Sequence, residues 1–297
     1  MRPIRILLWI FLPLLLMACE KLVLPEEEAT ETYSLDNLTL HVSQLEQTPF
    51  NISTRSAVED VCTRLNFAIY DTEGKRVKQV NQKLGDDDFG TASFQLPEGS
   101  YQLVVVAHSS NGNPTMTDPT KIQFSNITES GNGTGYSDTF LYNTTITIGS
   151  DPQTLNLTLR RIVALCRFVI EDAIPADVAQ IRFQYKGGSG HFDANTGLGV
   201  TKSTQTIFFP IEGRTQTQYD LYTFLHDTEG TIHLLVSAYD ASKNLLYERE
   251  FDIPLQQNHI TWFSGTFFTG KSPSSSQGLT TTLSVDDAWT GEMRMTY

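Results

Sequence analysis

We predict an all-β fold, because apolar residues alternate with polar ones through most of the chain. Successive side chains of a strand point to opposite faces, so a period of two indicates a sheet with one buried face. Helical spacing is hard to find in any window longer than residues 171–180, EDAIPADVAQ. The alternation is clearest on three apolar faces, formed by Leu65, Phe67 and Ile69, by Leu155, Leu157 and Leu159, and by Ile181, Phe183 and Tyr185. Each is predicted to belong to a half-buried strand.

Two further segments are more continuously apolar. Residues 101–109, YQLVVVAHS, and 231–240, TIHLLVSAYD, are typical of strands in the middle of a sandwich. Turn-forming residues between strand-like segments predict hairpins at 71–75, DTEGK, and 240–244, DASKN. Residues 109–120 are so rich in Ser, Asn, Gly and Pro that we expect a surface loop there.

The length of the chain favours two domains after an N-terminal leader. The sequence has 297 residues, whereas one ordinary domain has roughly 100 to 150. Similar segments, AIYDTEGKRV at 68–77 and SAYDASKNLL at 237–246, suggest two copies of one sandwich. Gly149 and Pro152 separate two strand-like segments near the middle of the chain. The predicted domains are therefore 35–151 and 152–297.

The charge of the chain excludes one class of partner. The formal net charge is −13 and the isoelectric point is about 4.8. Phosphate binding requires a basic surface, so we predict no nucleic-acid partner. Neutral or basic partners are favoured.

The first residues indicate export. Arg2 and Arg5 precede an apolar run at 6–17, which is shorter than the roughly 20 residues that a membrane-spanning helix needs. A removed signal peptide therefore fits better than a retained membrane helix. The residues LMAC at 16–19 resemble the lipobox of bacterial lipoproteins.

The lipobox resemblance implies that Cys19 is lipidated and that 1–18 is a removed lipoprotein signal peptide. In that family the cysteine carries three acyl chains, such as palmitate, and two or more chains suffice for stable membrane attachment. Residues 19–34 are rich in Glu and Thr and poor in large apolar residues, which predicts a flexible acidic tether. The run of Glu at 26–28 is interpreted as a solvated spacer, with a surface-export signal as the alternative.

No motif indicates catalysis, so we predict that the protein is not an enzyme and uses no cofactor or metal. The six histidines lack metal-ligand spacing, and neither a Gly-x-Ser-x-Gly elbow nor a phosphate-binding glycine loop occurs. The acidic run at 86–88 favours a solvated turn over a calcium loop. Cys62 and Cys166 lie near the start of each predicted domain, so we expect two separate buried thiols and no disulfide.

The order of several segments resembles the FimB-type fimbrial anchor lipoproteins of the fimbrillin superfamily of Gram-negative anaerobes. After the lipobox these segments are LNFAIYDTEGKRV (65–77), FQLPEGSYQLVVVAH (94–108), LTLRRIVALCRFVIEDAIPADVAQIRF (157–183), NHITWFSGTFF (258–268) and DDAWTG (286–291). The resemblance covers most of residues 35–292. It implies two tandem transthyretin-like β-sandwich domains, a lipid-anchored position on the outer membrane at the cell surface, and fimbrial shaft subunits as partners.

Fimbriae of that superfamily assemble by donated β-strands. In shaft subunits an N-terminal strand is cut off after an arginine, and Arg55 is placed where such a cut could occur. In an anchor the cut would release the lipid, so we expect Arg55 to stay uncut. The tail at 291–297 is short, so we expect no long C-terminal donor strand, and we expect the tail to be dispensable for attachment.

Two functions of different class remain open from the sequence. The first is an anchor or accessory subunit of a cell-surface fimbria, joined to its partner by β-strand addition. The alternative is a surface glycan-binding or adhesin lipoprotein, in which Trp262, Trp289 and exposed tyrosines could form a sugar platform. A role in the core is favoured for Trp262, which lies in a strand-like segment.

Overall fold

The computed structural model describes residues 36–47, 54–124, 136–211, 216–269, 279–280 and 291–297. Nearly all regular structure in these residues is strand, with one short helix, α1 (Val58–Val61). The prediction of an all-β class is confirmed. The predicted signal peptide, Cys19 and the tether lie outside the described residues. Within the described ranges no helix is long and apolar enough to cross a bilayer.

The strands fall into an N-terminal half and a C-terminal half. The first half contains β1 (Leu38–Gln47), β2 (Thr54–Ser56), β3 (Arg64–Tyr70), β4 (Arg76–Lys83), β5 (Thr91–Phe94), β6 (Gly99–His108), β7 (Ile122–Gln123), β8 (Thr139–Ile148) and β9 (Gln153–Arg161). The second half contains β10 (Ala164–Ile170), β11 (Gln180–Lys186), β12 (Gly188–Ser189), β13 (His191–Asp193), β14 (Leu198–Gly199), β15 (Gln205–Pro210), β16 (Gln218–Leu225), β17 (Glu229–Tyr239), β18 (Leu245–Gln256), β19 (His259–Gly265), β20 (Leu279–Thr280) and β21 (Gly291–Thr296).

All strands of the N-terminal half except β7 form one eight-stranded sheet that folds over on itself. Its order is β2-β1-β9-β8-β6-β3-β4, with β5 also paired to β1. Strands β8 and β9 share only two residue pairs, Phe140 with Arg161 and Leu141 with Arg160. Because β8 and β9 diverge after this corner, the two parts of the sheet face each other. Leu157 from one part and Phe67 from the other belong to the same buried cluster, the N-terminal core.

Strand β9 corrects the predicted domain boundary. The boundary between 151 and 152 assigned 153–161 to the second domain, but β9 pairs with β1 in parallel over eight residues and fills the N-terminal core with Leu157 and Leu159. Gly149 and Pro152 lie in the turn between two strands of one sheet rather than in a linker. The chain therefore passes to the second half only after Arg161.

The C-terminal half is a sandwich of two sheets. One has the order β12-β16-β10-β19-β21-β20 and the other β15-β11-β17-β18. Their facing sides bury an aromatic cluster, the C-terminal core, with Phe168 in ring contact with Phe183, Phe251 and Phe263. The tail is part of this sandwich, because β21 pairs in parallel with β19 and buries Met295.

A third buried cluster, the interface core, joins the halves. It includes Ala68 and Val104 from the outer face of the N-terminal sheet and Leu165 and Phe224 from the C-terminal half. Strands β7 and β13, one from each half, also pair directly. Residues 36–297 form one compact unit, and whether each half is an independent domain stays a prediction.

The interface core explains why some strands are buried on both faces. Residues 64–71 were predicted to be half-buried, but Ala68 and Tyr70 enter the interface core while Phe67 and Ile69 enter the N-terminal core. Strands β9 and β11 do alternate between buried and more exposed residues, as predicted. The expected surface loop at 109–120 is partly covered, since Met116 is fully buried and its carbonyl accepts from the Tyr70 hydroxyl at 2.7 Å.

Both predicted hairpins are present and share one design. Asp71 Oδ1 accepts from the backbone N–H of Lys75, and Asp240 Oδ1 accepts from that of Asn244. Each hairpin carries a bulge in the strand that follows the turn, at Val77 and at Leu246, and each hairpin lies at the end of a sheet. The halves are nevertheless not copies, because the strands that follow the two hairpins are placed differently. Strand β6 pairs with β3 of the first hairpin, whereas β19 lies in the sheet that faces the second hairpin.

The two thiols lie in different cores, as predicted. Cys62 belongs to the N-terminal core and Cys166 to the C-terminal core, and both are free and buried. Burial raises the pKa of each thiol well above its usual value. Neither thiol is therefore poised to react.

Candidate functional site

Strand β4 forms an open sheet edge. It pairs with β3 alone among the described strands, so most N–H and C=O groups along its other side have no strand partner, although Lys83 N already donates to Asp86. A bulge leaves Val77 without an opposite residue, and its side chain is 40% exposed. Leu84, just after the strand, is 44% exposed. This edge therefore presents backbone hydrogen-bonding groups between two exposed apolar side chains.

The β4 edge is basic in a strongly acidic protein. Lys75, Arg76, Lys78 and Lys83 lie within nine residues that contain no Asp or Glu, whereas the whole chain has a net charge of −13. None of these four cations forms a salt bridge with another described residue. Lysines on an edge strand discourage unspecific pairing, and they also favour a partner strand with acidic side chains.

Strand β4 is itself held in place by hydrogen bonds of a buried side chain. Gln82 is buried and donates from Nε2 to the carbonyls of Asp88 and Thr91 at 2.9 and 2.6 Å, while its Oε1 accepts from Gly90 N at 3.0 Å. These bonds fix β4 against the loop that contains the acidic run at 86–88. In that loop Asp86 accepts from Lys83 N at 2.7 Å. Across the described part of the chain, no cluster of three His, Cys, Asp or Glu side chains could hold a metal.

A polar network that is buried at Asn66 and His108 joins β3 to β4. Asn66 donates from Nδ2 to Asn81 Oδ1 at 2.8 Å, and its Oδ1 is 2.8 Å from His108 Nε2. His108 Nδ1 accepts from Ser110 N at 3.1 Å, so the Nε2–H tautomer donates to Asn66. The imidazole is fully buried, and burial lowers the pKa of His108 from its ordinary 6.5 to about 3.

Acidification should destabilise the folded protein through His108. Since its pKa is depressed only in the folded state, its contribution is complete above about pH 6.5 and is lost as the pH falls toward 3. At about 1.4 kcal/mol per pKa unit, moving from pH 7 to pH 4 should lower the free energy of unfolding by about 3 kcal/mol through this group. Urea titrations across this pH range measure the effect. His108→Gln should flatten the pH dependence and the exposed His233→Gln should not; equal slopes in both variants would contradict the prediction.

Strand β18 is a second long edge with the opposite charge. It pairs only with β17 among the described strands and carries Glu248, Glu250 and Asp252, with a single cation, Arg249. Pro254 removes one backbone donor from this edge. The His233 side chain pairs with Asp252, and both are largely exposed. The two long hairpin edges therefore differ in the partner strand that each would accept.

Trp262 is not an open sugar platform. The guanidinium carbon of Arg167 lies 4.8 Å from the ring centroid and that of Arg294 lies 5.0 Å from it. Because β19 lies between β10 and β21, the two guanidinium groups flank the indole from opposite sides. Arg167 is held there by a bidentate contact to Asp220 at 2.8 and 2.9 Å. Trp289, the other tryptophan of the predicted platform, lies outside the described residues.

The residues of the β4 edge were missed by the sequence analysis. Cys19, the one predicted modification site, lies outside the described residues, and Arg55 lies in β2, where its backbone pairs opposite Glu46 of β1. The available signal was the segment KRVKQVNQK at 75–83, which has four cations and no acid in an acidic chain. Only the pairing order shows that this segment is an edge.

Comparisons with known proteins give weak structural likenesses and one family. No curated protein matches the chain. A candidate adhesin from Bacteroides ovatus is 17% identical over 65% of this chain and 77% of its own, with a TM-score of 0.46. The fimbrial anchor protein Mfa2 from Porphyromonas gingivalis is 10% identical over 71% and 80%, with a TM-score of 0.41. A fimbrial assembly protein from Parabacteroides distasonis is 14% identical over 82% and 93%, with a TM-score of 0.39.

The family match covers nearly the whole chain. Residues 30–297 match the family described as Family of unknown function (DUF6562). The matched region begins in the predicted tether and includes every described strand. The chain therefore belongs to this family of unknown function.

Proposed function

We propose that this protein is an outer-membrane lipoprotein of the FimB type, which acts as an anchor or accessory subunit of a cell-surface fimbria. The observation that carries the proposal is the open, basic β4 edge. The order of segments that resembles the fimbrial anchor subunits supports the same role. The proposal assigns no catalytic activity to the chain.

Binding at the β4 edge would be β-strand addition. An incoming strand forms hydrogen bonds with the free N–H and C=O groups of β4, and its side chains lie beside Val77 and Leu84. Eight paired residues extend about 26 Å at roughly 3.3 Å per residue. Acidic side chains on the incoming strand would meet Lys78 and Lys83, which would select the partner and its register.

The first and last described strands, β1 and β21, fit a subunit that accepts a partner's strand better than one that donates its own. Strand β21 is paired within its own sheet, so donating it would break the C-terminal sandwich. Strand β1 places Leu38, Leu40 and Leu45 in the N-terminal core, and a cut after Arg55 would detach this strand from the rest of the chain. Both observations support an uncut anchor whose partner supplies the added strand.

The edge is tested by capture of shaft subunits from native outer membranes. The double variant Lys78→Glu, Lys83→Glu should lose most of the captured shaft subunit and leave fimbriae shed into the medium or altered in length. The matched control, Lys186→Glu with Lys202→Glu, makes the same charge change at exposed sites of the C-terminal half and should capture normally. Equal capture by both variants would make the glycan-binding or adhesin alternative the better account.

The lipid part of the proposal is tested in the same strains. Cys19→Ser should abolish labelling by a palmitate analogue and leave the precursor uncut before residue 19, because the thiol is the acyl acceptor. Unchanged labelling would remove the outer-membrane anchor while leaving the β4 edge untouched.

A further inference from the structure

An open cleft lies where the two halves meet beside the first hairpin. Its volume is about 640 Å³, which is within the range of small-ligand sites. Residues 71–74 of the first turn, the start of β6 and the middle of β8 form one side. Pro119, Thr120 and Asn195, which follows β13, form the other. Both halves therefore contribute to one binding surface.

Three side-chain amides that are hydrogen-bonded to each other line this cleft. Gln102 Nε2 donates to Asn143 Oδ1 and to Asn195 Oδ1, both at 2.9 Å. Asn195 is itself oriented by Asp193, whose Oδ1 accepts from Asn195 N and Nδ2 at 2.8 Å. The amide groups are thus fixed in position before any ligand binds, which lowers the entropic cost of binding.

The rest of the lining that the structure describes is mostly polar and contains no Lys or Arg. Ser100 and Thr145 lie on the same sheet face as Gln102 and Asn143 and present hydroxyl groups. Among the described residues, the charged side chains in the lining are Asp71 and Glu73. Phosphate, sulfate and carboxylate ligands would meet carboxylates and no compensating Lys or Arg, so anionic ligands are disfavoured. Ligands with many neutral hydroxyl groups match both the amide and the hydroxyl donors and acceptors.

We propose that this cleft binds a short stretch of neutral oligosaccharide. Amides hydrogen-bond sugar hydroxyl groups as both donors and acceptors, and two carboxylates can accept further hydroxyl protons. The cleft adjoins the Arg76 end of β4, but no residue of β4 lines it, so saccharide and partner strand would contact different residues. The proposal goes beyond the fimbrial role and does not depend on it.

The test measures binding of the whole secreted chain to immobilised neutral oligosaccharides, with sialylated and sulfated oligosaccharides on the same array. Binding should be confined to neutral saccharides. Asn195→Ala, at an exposed position, should weaken it about tenfold, as expected for the loss of one or two hydrogen bonds. Thr145→Arg, also exposed, places a bulky cation in the cleft and should abolish binding.

Asn156→Ala is the matched control, because Asn156 is an exposed asparagine that lies outside the cleft, in β9. It should bind like the unmodified chain. Absence of binding to any neutral saccharide, binding only to anionic ones, or equal binding by all three variants would overturn the proposal. None of these outcomes would alter capture of shaft subunits at the β4 edge.

Discussion

Removing residues 291–297 should abolish cooperative folding of the C-terminal half. The deletion takes away β21, exposes the backbone of β19 along six residue pairs, and removes the buried Met295. It also removes Tyr297, whose ring stacks 5.0 Å from Phe168 and 4.9 Å from Phe263. Near-ultraviolet circular dichroism and urea unfolding of the truncated chain measure the loss.

Single substitutions separate the contributions within this tail. Met295→Ala and Tyr297→Ala should each lower the free energy of unfolding by about 2 to 4 kcal/mol, because each leaves a cavity among aromatic rings. The exposed Thr296→Ala is the control and should change it by less than about 0.5 kcal/mol. A truncated chain that unfolds at the normal urea concentration would contradict the prediction that the tail is needed for folding.

Asp138→Ala should lower the free energy of unfolding by about 3 kcal/mol. Arg161 is almost fully buried, and Asp138 accepts from its Nε and Nη2, both at 2.7 Å. The guanidinium also lies 4.7 Å from the Phe140 ring and donates to Asn258 Oδ1, which belongs to the C-terminal half. Removing the carboxylate leaves a buried charge without its counterion, which is costly even where forming the pair adds little.

Two further variants isolate the buried charge as the cause. Asp252→Ala removes a carboxylate from an exposed pair with His233 and should cost at most about 1 kcal/mol. Asp138→Ala combined with Arg161→Met should recover part of the lost stability, because no charge remains buried. A double variant that is less stable than Asp138→Ala would show that the packing of Arg161, and not its charge, dominates.

Local features of the fold could be predicted from the sequence because their causes are local. The period of two placed Ile181, Phe183 and Tyr185 on the buried face of β11, and side-chain alternation is a property of the strand itself. The Asp71 and Asp240 turns were predicted because each aspartate bonds to backbone groups at most four residues away. The separation of Cys62 and Cys166 followed from the presence of two cores.

The partner of each face was decided only by the tertiary structure. Alternation shows that Phe67 and Ala68 point in opposite directions. It does not show that segments distant in sequence cover each of the two faces and bury both residues. The pairing partners of two other strands are also distant in sequence. Strand β9 pairs with β1, more than a hundred residues away, and β21 pairs with β19 and completes the C-terminal core. The β4 edge and the cleft at Asn195 depend on these long-range pairings. They arise from packing between distant segments, which no local pattern in the sequence encodes.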